Sequence, residues 1–381
     1  MDSFRQAIGT EREANYVRAL HDKGGVVRDD SGVWIIAGES FARAVLRDHG
    51  GFSSSVVEDG YPLLMDDPPK HTLLRKRLQG AFLPASVRAL GNAVEEVAAR
   101  LAARIRSGAE VDAVETVAVP LPVSVIGILM GIDEATFPDF RRMAERLAAE
   151  EDATSREADS LAKRGLRECF RRHIDEPRAG GALIDTLARA VAAAPSSQRE
   201  EARSEAVDLA MVLLTAGIET TGNLITNVLH SLATRPVLWK RIGADSALRS
   251  RVIEESLRLD SPVRFVPRVA VADRTIGNAE IRRGDRLIVF LGAANRDSER
   301  WINPDRFDCA RSRNRHLAFG HGIHFCLGAH LARVEAEAAL TALRRRFSTL
   351  RPGSAAPILR GPGVLHGFRK LPLIFGDDQI Q

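Results

Sequence analysis

One stretch limits what this chain can fold around more than any other. Cys326 follows Phe319-Gly-His-Gly-Ile-His-Phe and precedes Leu-Gly, so a single cysteine stands behind a glycine-punctuated loop. Glycines at 320 and 322 let the backbone turn tightly and lie close to a flat group. A helix-forming run, residues 329–343, starts directly afterwards, and its free N–H groups favour thiolate over thiol at the sulfur. We therefore expect the fold to place a thiolate against a flat partner.

Three interpretations of this cysteine have to be weighed. Most lone cysteines are buried structural residues. A zinc site is a second possibility, because His316, His321, His324 and His330 crowd the same segment. Zinc sites, however, usually show paired close ligands with a second pair further on. The third interpretation, a thiolate ligand of haem iron, explains both the glycines and the helix that follows.

The pattern Phe319-Gly-x-Gly-x-His324-x-Cys326-x-Gly328 resembles the haem-binding signature of the cytochrome P-450 family of haem-thiolate monooxygenases. The resemblance implies a mainly α fold with a smaller β region, a triangular prism of helices around a buried haem b. It also implies that Cys326 is the axial ligand of the iron, that Phe319, His324 and Gly328 belong to the haem site, and that O₂ is the oxidant.

The family's oxygen-activation motif has a counterpart in this chain. Residues 204–233 read as a long central helix that contains Ala216-Gly217-Ile-Glu219-Thr220. The small pair Ala216 and Gly217 leaves room for a diatomic ligand, although it weakens the helix. Thr220 can bond a backbone carbonyl one turn back, and an acid beside a hydroxyl suits a proton relay. By itself the motif could equally be a helix kink with a solvent-facing glutamate.

A second helix carries Glu255 and Arg258, which are three residues apart and so share one face. Such pairs are common on ordinary helices. The resemblance adds a third member, Arg306 in Asn-Pro-Asp-Arg-Phe, and implies a buried Glu255–Arg258–Arg306 cluster that supports the cysteine loop. Loss of one member would leave a buried charge without a partner.

Cations for the haem propionates are implied at four positions. His71 and Arg75 lie four apart in Pro-Pro-Lys-His-Thr-Leu-Leu-Arg, on one face of a predicted helix, and could together hold a carboxylate. Arg268 matches the family's strand arginine, and His324 matches another propionate contact. Each of these residues alone would more often be ordinary surface charge.

The remaining chain reads as helical with strands in three places. The β-rich parts are expected at about 25–36, 265–290 and 358–374, the first and the last of them as hairpins. We see no linker or repeat, and the motifs span most of the chain, so we expect one domain over residues 1–381. The predicted helices are 11–21, 39–47, 70–81, 87–107, 121–130, 137–149, 155–173, 182–193, 204–233 and 329–343.

Composition excludes several classes of protein. Lysine and arginine number 54 against 50 acidic residues, a balance too mild to indicate nucleic acid as a partner. Three cysteines, an odd number, argue against a disulfide framework. The first residues lack a signal peptide, and no apolar run is long enough for a membrane anchor. We therefore expect a cytoplasmic monomer with no membrane contact.

Basic residues cluster near the cysteine loop in sequence. We expect a docking face for a ferredoxin-type donor, with electrons ultimately from NAD(P)H; solvated surface charge is the alternative. The residues of this predicted face are Lys76, Arg77, Arg311, Arg313 and Arg315, and a further basic run lies at residues 344–346.

The predicted substrate pocket has a short covering segment. Only residues 55–66 separate the Phe-Ser-Ser stretch from the Pro-Pro-Lys-His helix, where family members usually have more. We therefore expect a wide mouth and a bulky small-molecule substrate, either free or tethered to a carrier. The expected substrate is a polyketide, peptide or terpene intermediate of secondary metabolism that is hydroxylated or epoxidised. The expected lining residues are Tyr61, Leu64, Leu213, Val263, Val266, Leu291 and Val364.

Other functions remain open at this point. The chain could be a haem-binding sensor or a non-oxidising haem scaffold, but neither needs the pair Glu219 and Thr220. A peroxide-driven peroxygenase usually lacks that pair. A zinc hydrolase would hold a metal without visible absorption.

Overall fold

A computed structural model describes residues 2–10, 12–57, 60–133, 135–149, 156–177, 182–311 and 314–377. Most of these residues are helical and a smaller part forms sheets, which agrees with the predicted fold class. The α-helices are α1 Asp2–Ala7, α2 Glu13–Asp22, α3 Glu39–Arg47, α4 Lys70–Leu78, α5 Pro84–Ala89, α6 Gly91–Ala103, α7 Pro120–Met130, α8 Phe137–Ala149, α9 Arg156–Asp175, α10 Ala182–Ala192, α11 Arg199–Ala233, α12 Pro236–Arg241, α13 Ser246–Leu259, α14 Leu291–Ala294 and α15 Ala329–Arg346.

The strands are short. They are β1 Val26–Arg28, β2 Trp34–Ile36, β3 Phe52–Ser53, β4 Glu110–Asp112, β5 Val266–Ala270, β6 Arg274–Ile276, β7 Ala279–Ile281, β8 Arg286–Val289, β9 Thr349–Pro352, β10 Ile358–Leu359, β11 Phe368–Lys370 and β12 Pro372–Gly376. One sheet has the order β1-β2-β8-β5-β3, so it joins the two chain regions predicted at 25–36 and 265–290. The predicted hairpin at 25–36 is confirmed as antiparallel β1 and β2.

Helix α11 is the spine of the helical part. It runs for 35 residues, and its second half is buried on nearly every side. It is the one helix in the described ranges that is long and apolar enough to cross a membrane by length and composition, but 67% of its apolar window is buried inside the protein. A buried core helix passes the same test, so we take α11 as the core around which α7, α9, α13 and α15 pack.

Two predicted elements differ from the structure. The helix predicted at 87–107 is broken at Leu90 into α5 and α6, and α6 begins with Gly91, a poor helix former. The last hairpin, predicted over 358–374, is only β10 with β11. Strand β12 instead pairs with β4 and β9, two strands that were not predicted, because long-range pairing leaves no local pattern in so short a strand.

Candidate haem site

The cysteine loop is shaped by its glycines and held by backbone hydrogen bonds. Gly320 and Gly322 both have positive φ, 71° and 73°, a conformation that side chains other than glycine rarely adopt. A Cβ added at Gly322 would lie 2.3 Å from the carbonyl oxygen of Leu46, at the end of α3. The N–H of Cys326 donates to the carbonyl of Phe319 at 2.9 Å. This closure presents the sulfur just before α15.

Two opposing effects act on the protonation of the Cys326 thiol. Burial raises the pKa of Cys326, although the Gly328 N–H and the charges of Arg75 and Arg333 act in the opposite direction. Desolvation of the thiolate therefore outweighs the helix N-terminus. A coordinating metal ion would deprotonate the thiol, so iron bound here would hold Cys326 as the thiolate.

An ion pair that the sequence did not reveal supports the loop from α15. Arg333 lies over the ring of Phe319, 4.4 Å from its centroid, and pairs with Glu254 at 2.6 Å. Burial raises the pKa of Glu254, but hydrogen bonds from Arg333 and His316 outweigh it and bring the pKa to about 2. Arg333 and Glu254 are 79 positions apart in the chain, so no local spacing could have paired them.

The predicted buried cluster exists with a different third member. Glu255 and Arg258 are fully buried and form two hydrogen bonds, at 2.8 and 2.9 Å. Arg306 is exposed, and only its backbone carbonyl takes part, accepting from Arg258 at 3.1 Å. The second guanidinium comes from Arg311, whose Nε donates to Glu255 at 3.0 Å. The assignments of Arg306 to this cluster and of Arg311 to the docking face were therefore wrong.

The four predicted propionate residues lie in one region. The rings of His71 and His324 have centroids 4.2 Å apart, and His324 is hydrogen bonded to Ser54 at 3.0 Å. Burial, with the nearby His71 and Arg268, lowers the pKa of His324 to about 3, so this imidazole is neutral. Burial also lowers the pKa of Arg268 to about 10, against the raising effect of Asp67.

These residues fit a group with two carboxylates and a metal. Within the described ranges, Arg75 and Arg268 have no carboxylate at ion-pair distance, although burial lowers the pKa of both. The Nδ1 of His71, whose residue is 2% exposed, has no hydrogen-bond partner among the residues that the structure describes. Cations and donors held away from water without an acceptor are costly, and propionates would satisfy them. Haem would bind with Cys326 on the iron and these side chains on its propionates.

Helix α11 carries the oxygen-activation motif, and Thr220 makes the hydrogen bond one turn back that the sequence predicted. The hydroxyl of Thr220 donates to the carbonyl of Ala216 at 2.6 Å. A Cβ added at Gly217 would meet only Ile126, at 3.7 Å, so space is open there. Glu219 lines a small cavity together with Asn223 and Arg360. An acid, a hydroxyl and an open position thus follow one another along the helix.

The predicted pocket residues fall into two groups. Tyr61, Leu64 and Val364 are exposed, at 62%, 49% and 42%, and Leu213, Val263 and Val266 are partly buried. Leu291 is 1% exposed and packs with residues of α3 in a hydrophobic cluster. It opens the short helix α14, which packs on α3, so its placement in the pocket was wrong.

The predicted docking face is also revised. Lys76, Arg77 and Arg315 are all exposed, and Arg77 also approaches Glu205 on α11, at 3.9 Å. Arg313 lies outside the described residues. Two arginines of α3 that were not predicted, Arg43 and Arg47, lie near the loop. Burial is the main cause that lowers the pKa of His321, and the charges of these two arginines lower it further. Arg43 also donates to the carbonyl of Arg315 at 2.6 Å.

Two of the histidines near Cys326 have hydrogen-bond partners of their own. His316 contacts Glu254 at 3.2 Å, and His324 bonds Ser54. In the part of the chain that the structure describes, no three His, Cys, Asp or Glu side chains are grouped as a metal site would require. The arrangement is that of a haem-thiolate protein: one sulfur, a row of cations and a hydroxyl-bearing helix.

Comparisons with known proteins agree. The family model described as Cytochrome P-450 matches residues 135–371. Cytochrome P-450 107B1 of Saccharopolyspora erythraea is 38% identical over 97% of this chain and 96% of its own length. Mycinamicin IV hydroxylase/epoxidase of Micromonospora griseorubida is 33% identical, over 86% of this chain and 87% of its own. The crystal structure of CYP109E1 from Bacillus megaterium in complex with corticosterone superposes with a TM-score of 0.85 and 28% identity, covering 95% of this chain and 97% of that one.

The chain belongs to the cytochrome P-450 family, of the bacterial type. It is a P-450 monooxygenase, and both the family assignment and the fold class predicted from the sequence are confirmed. The family uses haem iron and O₂, which agrees with the residues gathered around Cys326.

Proposed function

We propose that this monooxygenase hydroxylates or epoxidises a bulky small molecule, a polyketide, peptide or terpene intermediate of secondary metabolism. The observation that carries the proposal is the pair of helices α15 and α11: they pack on each other, one behind Cys326 and the other bearing Glu219 and Thr220. The relative named as a mycinamicin IV hydroxylase/epoxidase supports both the reaction and the size of the substrate.

Each group of residues has a defined task in this proposal. Haem bound to a cysteine thiolate supplies the oxidising chemistry, because the sulfur donates electron density to the iron. Cys326 holds the iron, with Phe319 and Gly328 shaping its loop. His71, Arg75, Arg268 and His324 hold the propionates, and the buried Glu255 and Arg258 fix the chain behind the loop.

Proton supply falls to α11. The Thr220 hydroxyl is bonded to Ala216 inside the helix, and its oxygen can still accept a hydrogen bond at the open side beside Gly217. Glu219 follows immediately and lines the adjoining cavity, from which it can exchange protons. The role we assign to the two residues is to move a proton from that cavity to the hydroxyl oxygen of Thr220, at the open position beside Gly217.

Electrons reach the site from outside the chain. We infer a ferredoxin-type donor, supplied by NAD(P)H, that binds a basic face made of Lys76, Arg77, Arg315 and Arg47, beside Arg43, which is paired with Glu39; Arg313 adds a further charge in sequence. Arg43 and Arg47 are on α3, whose end contacts the cysteine loop at Gly322. An acidic donor on this face would lie close to the sulfur. We further propose that the protein acts as a cytoplasmic monomer.

Substrate enters, in our proposal, past exposed apolar side chains. Tyr61, Leu64 and Val364 expose a large part of their surface, which is costly unless a ligand covers it. The covering segment before α4 is short, so the mouth admits a large or carrier-tethered substrate. Val263 and Val266 line the pocket deeper in.

Two measurements test this function. Reduced, CO-bound protein should absorb at roughly 450 nm, as thiolate-ligated haem does, and Cys326→Ala should lose that band. With a surrogate ferredoxin and its reductase, the protein should consume NADH faster when a bulky ligand is bound. A haem band without any NADH-dependent product from a macrolide, peptide and terpene panel would favour a sensor or a haem scaffold instead.

A further inference from the structure

The turn at residues 363–366 is tied to the chain that enters β5. Val263 and Leu365 form an antiparallel bridge. The N–H of Arg264 donates to the carbonyl of Val364 at 2.7 Å, and the N–H of His366 donates to Pro262 at 2.8 Å. The turn therefore lies against residues 262–264 as a two-stranded unit, although it contains no regular strand.

A buried guanidinium reinforces this unit from behind. Arg264 is 2% exposed, and its Nη1 donates to the carbonyls of Leu365 and of Gly363, the latter at 3.3 Å. Its Nη2 donates to Nδ1 of His366 at 3.0 Å. Glu13 of α2 contributes the opposite charge at 3.4 Å. One side chain thus binds three points of the turn and links them to the N-terminal helices.

His366 extends the anchor to two further helices. Arginine can only donate, so Nδ1 of His366 accepts, and the ring proton is on Nε2, which faces Asp260 after α13 at 3.6 Å. The side chain of Asn227 on α11 donates to the carbonyls of both Asp260, at 2.8 Å, and His366, at 3.3 Å. The turn is therefore fixed on every side but one.

The remaining side of the turn is apolar and open. Val364 is exposed, and Leu365 and Val263 are partly exposed. Gly367 directly follows the turn and lies so close to α11 that an added Cβ would be 2.3 Å from Oδ1 of Asn223. Asn223 is three residues after Thr220. The chain that leaves the turn therefore packs against α11 less than one helical turn after the oxygen-activation motif.

We propose that Arg264 is a positioning residue that sets the substrate specificity of this enzyme by holding the 363–366 turn as a fixed apolar wall of the pocket. This inference rests on the proposed function. Guanidinium bonds to three acceptors fix a turn far better than its own backbone bonds, because each bond to a charged donor contributes more than a neutral one. The wall selects bulky apolar ligands that reach Val364 and Leu365, and small ligands do not contact it.

Two azoles that ligate haem iron separate positioning from general damage. Imidazole needs only space at the iron, whereas clotrimazole is bulky enough to contact the wall. We expect Arg264→Gln and His366→Gln to weaken clotrimazole binding by about tenfold and to leave the dissociation constant of imidazole within about twofold, both read from the azole spectral shift. Arg264→Lys should restore part of the loss, since an ammonium keeps the charge but not the forked geometry.

Arg296→Gln is the matched control. Arg296 also lies 3.6 Å from Asp260, but its Nη2 donates to Leu259 rather than to the turn, so both azoles should bind as in the wild type. Equal losses for both azoles, an unchanged clotrimazole affinity in His366→Gln, or the same selective loss in Arg296→Gln would overturn the inference. If Arg264→Gln fails to fold, His366→Gln decides. A wild-type protein without the 450 nm band would instead refute the proposed function.

Discussion

Thr220 already has a hydrogen bond that its proposed role requires. Its hydroxyl proton is donated to Ala216 at 2.6 Å, which leaves the oxygen lone pairs for a proton donor. We expect Thr220→Ala to retain haem and the CO-bound spectrum. Product per NADH should fall by about tenfold, with hydrogen peroxide released in its place, because proton delivery is lost. The measurement is the ratio of product and peroxide to NADH.

Thr215→Ala provides the control on the same helix. Its hydroxyl also bonds a carbonyl one turn back, that of Met211 at 3.1 Å, but it lies outside the motif. The ratio of product to NADH should stay at the wild-type value in Thr215→Ala. A Thr220→Ala enzyme that forms product as efficiently as the wild type would rule out the relay.

The burial of Glu335 on α15 leads us to expect an unusual dependence of stability on pH. It is 4% exposed, its Oε2 has no hydrogen-bond partner in the described part of the chain, and burial raises its pKa to about 8. The pKa of this carboxyl is higher in the folded protein than in the unfolded chain. The free energy of unfolding therefore falls as the pH rises from about 5 to about 8, because the unfolded chain ionises first. We expect Glu335→Gln to melt like the wild type at the acid end and a few degrees higher at the alkaline end.

Thermal unfolding of the haem-loaded protein across this range tests the prediction. The exposed Glu95 on α6, changed to glutamine, should show no such divergence. If the melting temperatures of Glu335→Gln and wild type differ equally at all pH values, the carboxyl does not change its protonation as we expect.

At the scale of elements, the buried cluster around Glu255 joins α13 to the chain before the cysteine loop. Arg258 and Arg311 both donate to Glu255, and the backbone N–H of Asp308 adds a bond at 2.8 Å. Arg311→Gln removes one of two cations from a fully buried carboxylate, so we expect a loss of about 3 kcal/mol in the free energy of unfolding.

Arg306→Gln is the paired control, because this exposed side chain was the member named by sequence resemblance. It should change stability by less than about 0.5 kcal/mol. Urea unfolding of both holoproteins, followed by haem absorbance, distinguishes them. A larger loss of stability in Arg306→Gln than in Arg311→Gln would mean that Arg306, and not Arg311, is the second cation of the cluster.

Local pattern explains what the sequence could predict and what it could not. The helix predicted at 39–47 is α3, residue for residue, because its apolar positions repeat with the helical period and Gly38 precedes it. Motif residues such as Cys326, Thr220 and Glu255 were identifiable because spacing along one loop or helix is a local property. The partner of Glu255 was not, since Arg306 and Arg311 both precede the loop and only packing decides which one is buried.

Long-range contacts account for the other misses. Arg333 on α15 pairs with Glu254 on α13. Arg264 contacts Glu13, near the start of the chain, and His366, near its end. Leu291 was expected in the pocket, yet its position at the start of α14 turns it into the core. Tertiary packing decides which of these side chains are buried, and the local sequence pattern does not distinguish them.

At the scale of the whole molecule, the two ends of the chain are interleaved. Strands β1 to β3 share a sheet with β5 and β8, and Glu13 near the start pairs with Arg264, which binds the turn at 363–366. We propose on this basis that residues 1–381 act as one functional unit, and that truncation at either end would disturb the pocket.

The charge of the basic face belongs to this scale, because it sets association with another protein. We expect Arg315→Glu to slow reduction by a ferredoxin several-fold at low ionic strength, with a smaller effect at high salt, where charges are screened. Arg189→Glu, which reverses an exposed arginine on α10, should leave the rate unchanged. Stopped-flow reduction under CO measures both, and equal rates for Arg315→Glu and wild type would exclude the face.

The contact between Gly322 and the carbonyl of Leu46 has a consequence for redesign. With no side chain at 322, the loop that carries Cys326 packs directly against the end of α3, so a displacement of α3 would be passed on to the cysteine loop. Of the two α3 arginines in the proposed docking face, Arg47 is therefore the one to vary when a different electron donor is introduced, because Arg43 also holds Glu39 and the carbonyl of Arg315. Any side chain at 322 would push the cysteine loop away from α3.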